Sequence, residues 1–153
     1  MKWLLDPLYR VQRRLWRILR PRTRGVKVML FSEAGELLLV RNTYGRTDLF
    51  VLPGGGVRPF EAPEAAARRE VKEELGCGVA ALAFVSIHAS THEGKRDTVH
   101  LYRARPTGSV RADGFEVAEA RFFALDALPP SVSPATLRRI EEHRGLRAAS
   151  ESW

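Results

Sequence analysis

The chain has 153 residues, of which 44% are hydrophobic and 28% charged, and this fits one globular domain with a core of its own. No apolar run reaches the ~18 residues that a membrane-spanning helix needs. A single cysteine excludes an internal disulfide. Because this cysteine usage suits a reducing compartment, we predict a cytoplasmic protein.

The net charge of +7 is concentrated at the N-terminus. Residues 1–27 carry nine lysines and arginines against one acidic residue, so the rest of the chain is close to neutral. The basic charge therefore belongs to an N-terminal arm, residues 1–22, and not to the domain that we predict over residues 23–150.

The arm has the apolar period of a helix. Its apolar stripe consists of Leu4, Leu8, Val11, Leu15 and Leu19. Asp6-Pro7 is typical of a helix start, and Pro21 is typical of a stop. A basic amphipathic helix can pack on its own domain or on a second subunit of a homodimer. Alternatively, it can hold the protein peripherally on an anionic membrane surface; contact with nucleic acid is the least favoured alternative.

Strand patterns follow the arm. Alternation at Val26, Val28 and Leu30 predicts a half-buried strand, and residues 37–40 predict a second one. The turn at Ala34-Gly35 would join them as a hairpin. Residues 42–48 are polar and predict a loop, and residues 50–52 predict a short strand that leads into a run of glycines.

The most informative stretch is residues 53–77, PGGGVRPFEAPEAAARREVKEELGC. Its three glycines allow the backbone to come close to another group, because they carry no Cβ. Pro63 suits the first turn of a helix, and Gly76 suits its end. The apolar stripe that would pack this helix on a sheet is Ala67, Val71 and Leu75.

Three carboxylates, those of Glu70, Glu73 and Glu74, lie beside that stripe on one side of the predicted helix. Carboxylates so close together repel one another unless a positive charge lies among them. Hard oxygen ligands of this kind suit Mg²⁺ or Mn²⁺. The alternative is a solvated helix face with ion pairs such as the i,i+4 pair of Arg69 with Glu73.

The whole stretch resembles the Nudix hydrolase signature, G-x5-E-x7-R-E-U-x-E-E-x-G-U, where U is a bulky apolar residue. Gly55 opens the signature, Glu61 follows after five residues, and Arg69 with Glu70 follows after seven more. The remaining fixed positions are Val71, Glu73, Glu74, Gly76 and Cys77. The single departure is Cys77 in the last apolar position, where a buried thiol can act as a small hydrophobe.

The resemblance implies an α/β fold, the Nudix αβα sandwich with a mixed β-sheet between helices; the predicted N-terminal amphipathic helix falls outside it. It also implies the roles of individual residues. Glu70, Glu73 and Glu74, with the backbone carbonyl of Gly54, would hold the metal. The catalytic set would be Arg69, Glu70, Glu73 and Glu116. Gly55, Gly76 and an Arg69–Glu61 pair would support the site.

The implied activity is Mg²⁺-dependent hydrolysis of a nucleoside diphosphate linked to another group, as in a nucleoside triphosphate, ADP-ribose or a nucleotide sugar. The partner would be this small molecule. The alternative is a non-catalytic nucleotide-binding regulatory module. The usual mark of such a module is loss of signature carboxylates, and all of them are present here.

Further candidates are less specific. The resemblance places residues 42–52 near the substrate, which makes Tyr44, Arg46 and Phe50 candidates for substrate contact. The alternative for each is an ordinary exposed loop with a core phenylalanine. His88, on a strand predicted over residues 80–91, is either a further candidate or a polar strand residue. Glu116 lies six residues before Phe122, where a loop glutamate of the family reaches the metal site, and Glu119 is its competitor.

The end of the chain predicts a closing helix over residues 135–147. We expect Leu137, Ile140 and Leu146 to face inward and the last few residues to be frayed.

Overall fold

The computed structural model describes residues 22–91 and 96–153, so the predicted helix of the N-terminal arm lies outside the described residues. The strands are β1 (Arg22–Leu30), β2 (Leu37–Asn42), β3 (Gly54–Gly56), β4 (Gly78–Ser90), β5 (Arg96–Thr107) and β6 (Val117–Phe123). The helices are α1 (Pro63–Leu75) and α2 (Pro134–His143). Neither helix combines the length and the apolar character that a membrane span requires.

Four strands form a mixed sheet in the order β3-β1-β5-β4. The two central strands, β1 and β5, run parallel, and the two outer strands are antiparallel to their neighbours. Strands β2 and β6 form a separate antiparallel ladder. Val40 in β2 bridges Val51, which brings this ladder close to the glycines of β3.

The two helices cover opposite sides of the strands. Val26, Val28 and Leu30 of β1 pack with Ala67 and Val71 of α1 in one core. Met29, the neighbour of Val28 on the strand, packs with Leu101 of β5 and Ile140 of α2 in the other. Alternate residues of β1 therefore pack against the two helices. The predicted αβα architecture with a mixed sheet is confirmed.

The hairpin predicted from β1 and β2 is wrong. β1 pairs with β3 and β5, whereas β2 pairs with β6. Between the two segments, the turn holds an isolated bridge of Phe31 with Leu37 and no ladder in the described residues. The turn at Gly35 exists, and its φ of 79° needs glycine. Strand pairing is decided by contacts distant in sequence, which a local turn pattern does not reveal.

Helix α1 has the predicted bounds. It begins at Pro63, where the missing N–H costs nothing, and ends before Gly76, which adopts a left-handed conformation with φ of 70°. The Gly76 N–H donates to the carbonyl of Lys72. Both ends of the helix that carries the three carboxylates are thus fixed by local sequence.

Helix α2 faces the core differently from the prediction. Ile140 is buried as expected, but Leu137 is 38% exposed and Leu146 is 65% exposed and lies beyond the helix end at His143. The other buried positions of the helix are Thr136 and Arg139. A buried arginine takes the place that apolar periodicity assigned to leucine, because polar partners surround it.

Those partners include the C-terminal residues, so the expectation of a frayed tail is also wrong. Arg139 donates to the carbonyl of Ser152 at 3.0 Å and to Nδ1 of His88, and its guanidinium lies over the ring of Trp153. The Trp153 N–H donates to the carbonyl of Ala89, and Ala89 donates to the carbonyl of Glu151. The tail is therefore attached to the outer edge of β4.

Candidate active site

The glycines of β3 lie against β1 on one side and against α1 on the other. Gly54 has a φ of 146°, and a Cβ there would come within 2.0 Å of the carbonyl oxygen of Val26. A Cβ on Gly55 would lie 2.5 Å from the carboxylate of Glu70. Glycine is required at both positions because backbone and carboxylate approach so closely.

The three carboxylates of α1 differ in exposure. Glu70 and Glu74 are 8% and 5% exposed, whereas the side chain of Glu73 is half exposed. Glu74 Oε2 accepts a hydrogen bond from the Gly54 N–H at 3.1 Å. Burial raises the pKa of Glu74 to about 7, although Lys27 and this hydrogen bond act to lower it. A cation beside Glu74 would favour its ionised form.

Arg69 connects the loop before α1 to the carboxylates. Its guanidinium makes two hydrogen bonds to Glu61, at 2.7 and 2.9 Å, which is the pair that the resemblance implied. The same group donates to Glu70 at 2.6 Å, to Glu73 at 3.2 Å and to the carbonyl of Gly56 at 2.9 Å. Arg69 thus acts as a positioning residue that aligns the helix, the loop and β3.

The donor set suits a divalent cation by its chemistry. Within residues 22–91 and 96–153, no three His, Cys, Asp or Glu side chains are grouped as a metal site, and Arg69 lies between Glu70 and Glu73. However, the hard carboxylate oxygens of α1 lie opposite the backbone of Gly54 and Gly55, where there is no space for a side chain. These groups fit Mg²⁺ or Mn²⁺.

The loop before β6 reaches this cluster. Arg111 and Asp113 donate their N–H groups to the carbonyls of Leu75 and Glu74 at the end of α1. Asp113 Oδ1 then accepts hydrogen bonds from three successive N–H groups, including that of Glu116 at 3.1 Å. Burial first, and then the charge of Glu70, raises the pKa of Glu116. Glu116 therefore lies within electrostatic reach of the helix carboxylates.

Glu119, the competitor of Glu116, has a different environment. It lies opposite Arg41 in the β2–β6 ladder and forms an ion pair with it, and Arg121 approaches the same carboxylate at 3.8 Å. Its charge is already paired on the ladder. The structure therefore favours Glu116 over Glu119 as the loop carboxylate of the candidate site.

Tyr44 and Arg46 lie on the loop between β2 and β3. The neighbouring Thr43 donates its N–H to the carbonyl of Glu116 at 2.9 Å, which joins this loop to the one before β6. Burial, followed by the charges of Glu116, Glu74 and Glu70, raises the pKa of Tyr44 to about 12, so its hydroxyl lies within electrostatic reach of these carboxylates. Arg46 instead extends into solvent and pairs with Asp48 at 2.9 Å.

Two proposed substrate contacts do not lie at the site. Phe50 is 5% exposed, and its ring packs edge-on against Phe123 in the α2-side core, so it cannot stack on a base. His88 is 3% exposed, and its ring nitrogens contact Ser86 and Arg139 on the α2 side of the sheet. Both are structural residues, as the alternative interpretation of each position had it.

The sequence interpretation missed Lys27 and Asp113. Lys27 Nζ donates to the carbonyl of Leu52 at 3.0 Å, and Glu74 and Glu70 attract its charge although burial lowers its pKa. A lysine within the otherwise apolar run VKVML was the available signal. Asp113 gave no signal, because its role depends on the backbone of the loop that it orders.

Comparisons with known proteins agree with this geometry. A family model described as NUDIX domain matches residues 21–143. A Bacillus subtilis protein named "Putative 8-oxo-dGTP diphosphatase" is 32% identical over 123 residues, which cover 80% of each chain. The crystal structure of a MutT NUDIX hydrolase from Burkholderia pseudomallei has a TM-score of 0.71 at 26% identity, covering 78% of this chain and 96% of that one.

A third relative is longer than this chain. The NAD-capped RNA hydrolase NudC of Pseudomonas aeruginosa is 26% identical over 119 residues, which are 78% of this chain but 42% of NudC. The family match extends over most of the described chain and includes the glycines of β3, Arg69 and the carboxylates of α1. The chain belongs to the NUDIX family.

Proposed function

We propose that the protein hydrolyses a diphosphate bond in a nucleoside diphosphate linked to another group, with Mg²⁺ or Mn²⁺ as cofactor. Family members generally use a divalent metal. The observation that carries the proposal is the buried Glu74, whose pKa of about 7 and hydrogen bond to Gly54 leave it suited to a cation. Glu70, Glu73 and the carbonyl of Gly54 would complete the ligand set.

The metal, when bound, neutralises phosphate charge and polarises the phosphorus–oxygen bond. The residues of this chain place and deprotonate the attacking water. Glu116 approaches from a different element than the α1 carboxylates, so it would accept a proton from water as the new oxygen–phosphorus bond forms. The leaving phosphate keeps the electrons of the broken bond. Arg69 fixes Glu70 and Glu73 throughout.

For the substrate, we propose a nucleoside triphosphate with an oxidised base. The relative named for 8-oxo-dGTP aligns over 80% of both chains, whereas the relative named for NAD-capped RNA is matched over less than half its length. Tyr44, at the edge of the carboxylate cluster, is the candidate for substrate contact. None of these relatives is named as a non-catalytic binding module, so that alternative gains no support.

The test is a product assay over 8-oxo-dGTP, dGTP, ADP-ribose, a nucleotide sugar and NAD-capped RNA. We expect 8-oxo-dGTP to be cleaved fastest. Running the reaction in ¹⁸O-labelled water shows which phosphate receives the new oxygen. Preference for ADP-ribose or capped RNA would overturn the substrate class but keep the hydrolase. Tight metal-dependent binding without any cleavage would overturn the enzyme and favour a binding module.

A further inference from the structure

Strand β4 exposes a row of large apolar side chains. Phe84, Val85 and Ile87 are 57%, 41% and 51% exposed, and we refer to them as the β4 stripe. Large apolar residues in a contiguous exposed row mark an interaction site more often than scattered ones do. The row is therefore a candidate docking surface.

Phe84 and Ile87 of the stripe lie on the side of the sheet that α1 covers. Phe84 pairs with Tyr102 of β5, and Tyr102 packs in the α1-side core; their rings meet edge-on with centroids 5.8 Å apart. Ile87 pairs with His100, which in turn pairs with Val26 of the same core. Helix α1 contacts β3, β1 and β4, and Val79 and Leu82 of β4 pack against its core. Further along β4, Phe84 and Ile87 remain exposed on that face.

The N-terminal arm joins the domain at the same end of the sheet. Arg22, the first residue of β1, pairs with Arg96 at the start of β5, and the adjacent Asp97 pairs with Ser90 at the end of β4. Two strand spacings, about 10 Å, separate β1 from β4. The chain outside the described residues therefore begins beside the open face.

We propose that residues 1–21 dock on the β4 stripe of their own domain as an amphipathic helix. Residues 7–20 as a helix would extend about 21 Å. The stripe, from Phe84 to Ile87, extends about 10 Å along the strand, so such a helix is long enough to cover it. The apolar side of the arm, Leu4, Leu8, Val11, Leu15 and Leu19, would cover Phe84 and Ile87, while its arginines face solvent.

The tether favours this occupant over a second copy of the chain. A segment attached next to its binding surface has an effective concentration in the millimolar range. A second molecule at micromolar concentration would have to displace it. The proposal does not depend on the hydrolase activity, because it uses none of the residues assigned to the candidate active site.

Limited trypsin digestion of the full-length protein tests the proposal. The arm carries five arginines between residues 10 and 20, and mass spectrometry reports cleavage at each. A docked arm is cut slowly. We expect Ile87→Asp, and separately Leu15→Asp, to speed cleavage roughly tenfold or more, because proteolysis follows the population of the undocked form. The double variant should be cut no faster than either single one.

Leu137→Asp is the matched control. Leu137 is exposed on α2, on the opposite side of the sheet, so its variant should keep the wild-type cleavage rate. Circular dichroism checks that each variant is folded, and Phe84→Ser replaces Ile87→Asp if that variant unfolds. A fast-cut arm in the wild type, or protection that Ile87→Asp leaves unchanged, overturns the proposal. Protection that rises with protein concentration assigns the surface to a second copy. Protection only with phosphatidylglycerol vesicles assigns the arm to a membrane.

Discussion

Gly55 and Glu70 are packed so closely that the carboxylate occupies the space of an added methyl group. The position of a Cβ at Gly55 is 2.5 Å from the Glu70 carboxylate, whereas the next glycine, Gly56, has nothing within 4 Å of its Cβ position. Two adjacent glycines of one short strand thus differ in whether they leave space for a side chain.

Gly55→Ala should displace Glu70 and lower kcat/KM. A shift of about 1 Å in a catalytic group can cost roughly 100-fold. Gly56→Ala makes the same chemical change one residue away and should stay within about threefold of the wild type. The comparison is steady-state hydrolysis at saturating metal. Equal activities of the two variants would show that the position of Glu70 is irrelevant to turnover.

The Arg69–Glu61 pair should contribute stability that depends on pH. Arg69 holds the pKa of Glu61 at about 2, below the value of about 4.3 for an unperturbed glutamate. Because the folded-state pKa is lowered, the stabilisation is complete above about pH 4.3 and is lost as the pH falls through about 2.

Thermal unfolding of Glu61→Gln measures this effect. We expect a lower Tm than the wild type at pH 6 and a difference that shrinks as the pH falls towards 2. Glu33→Gln, an exposed glutamate on the β1–β2 turn, should change Tm little at any pH. A Glu61→Gln difference that is constant over this pH range would mean that the carboxylate charge is unimportant.

Glu116→Gln tests the loop base. A glutamine keeps the size of the side chain but cannot accept the proton, so kcat should fall roughly 100-fold or more. Glu119→Gln removes an ion pair on the β2–β6 ladder, where exposed pairs contribute little, and should keep nearly full activity. If Glu119→Gln lost more activity than Glu116→Gln, the role of the loop base would belong to Glu119.

Lys27 should set the acid side of the pH–rate profile. Its charge acts to lower the pKa of Glu74, so Lys27→Met should raise that pKa above its value of about 7. The lower pH limit of kcat/KM should then move to higher pH, because Glu74 must be ionised to bind metal. Lys27→Arg keeps the charge and should keep the profile. An unchanged limit in Lys27→Met would show that Glu74 titration does not control the rate.

The parts of the fold that the sequence predicts are those fixed by local rules. Helix α1 begins at a proline and ends at a glycine, and the spacing of Glu61, Arg69 and Glu70 within one loop and helix brings them together. The same stretch of chain holds both partners of each contact. The spacing of residues in this one stretch therefore predicts most of the site.

The parts that were wrong depend on contacts distant in sequence. β1 and β2 were expected to pair because a turn joins them, but β1 pairs with β5, more than seventy residues away by its register with Arg96. Chain position makes Phe50 and His88 candidates for substrate contact but leaves the structural alternative open for each, and only the packing decides for that alternative. The tail residues around Trp153 decide that Arg139, and not Leu137, faces the core.

The measurement that tests the central claim most directly is hydrolysis of 8-oxo-dGTP with Mg²⁺, with EDTA, and in the variants Glu74→Gln and Glu64→Gln. Glu64 lies exposed in the first turn of the same helix and is the matched control. We expect activity with Mg²⁺, none with EDTA, a loss of roughly 100-fold or more in Glu74→Gln, and wild-type activity in Glu64→Gln. Full activity of a folded Glu74→Gln variant, or turnover that survives EDTA, would contradict the account.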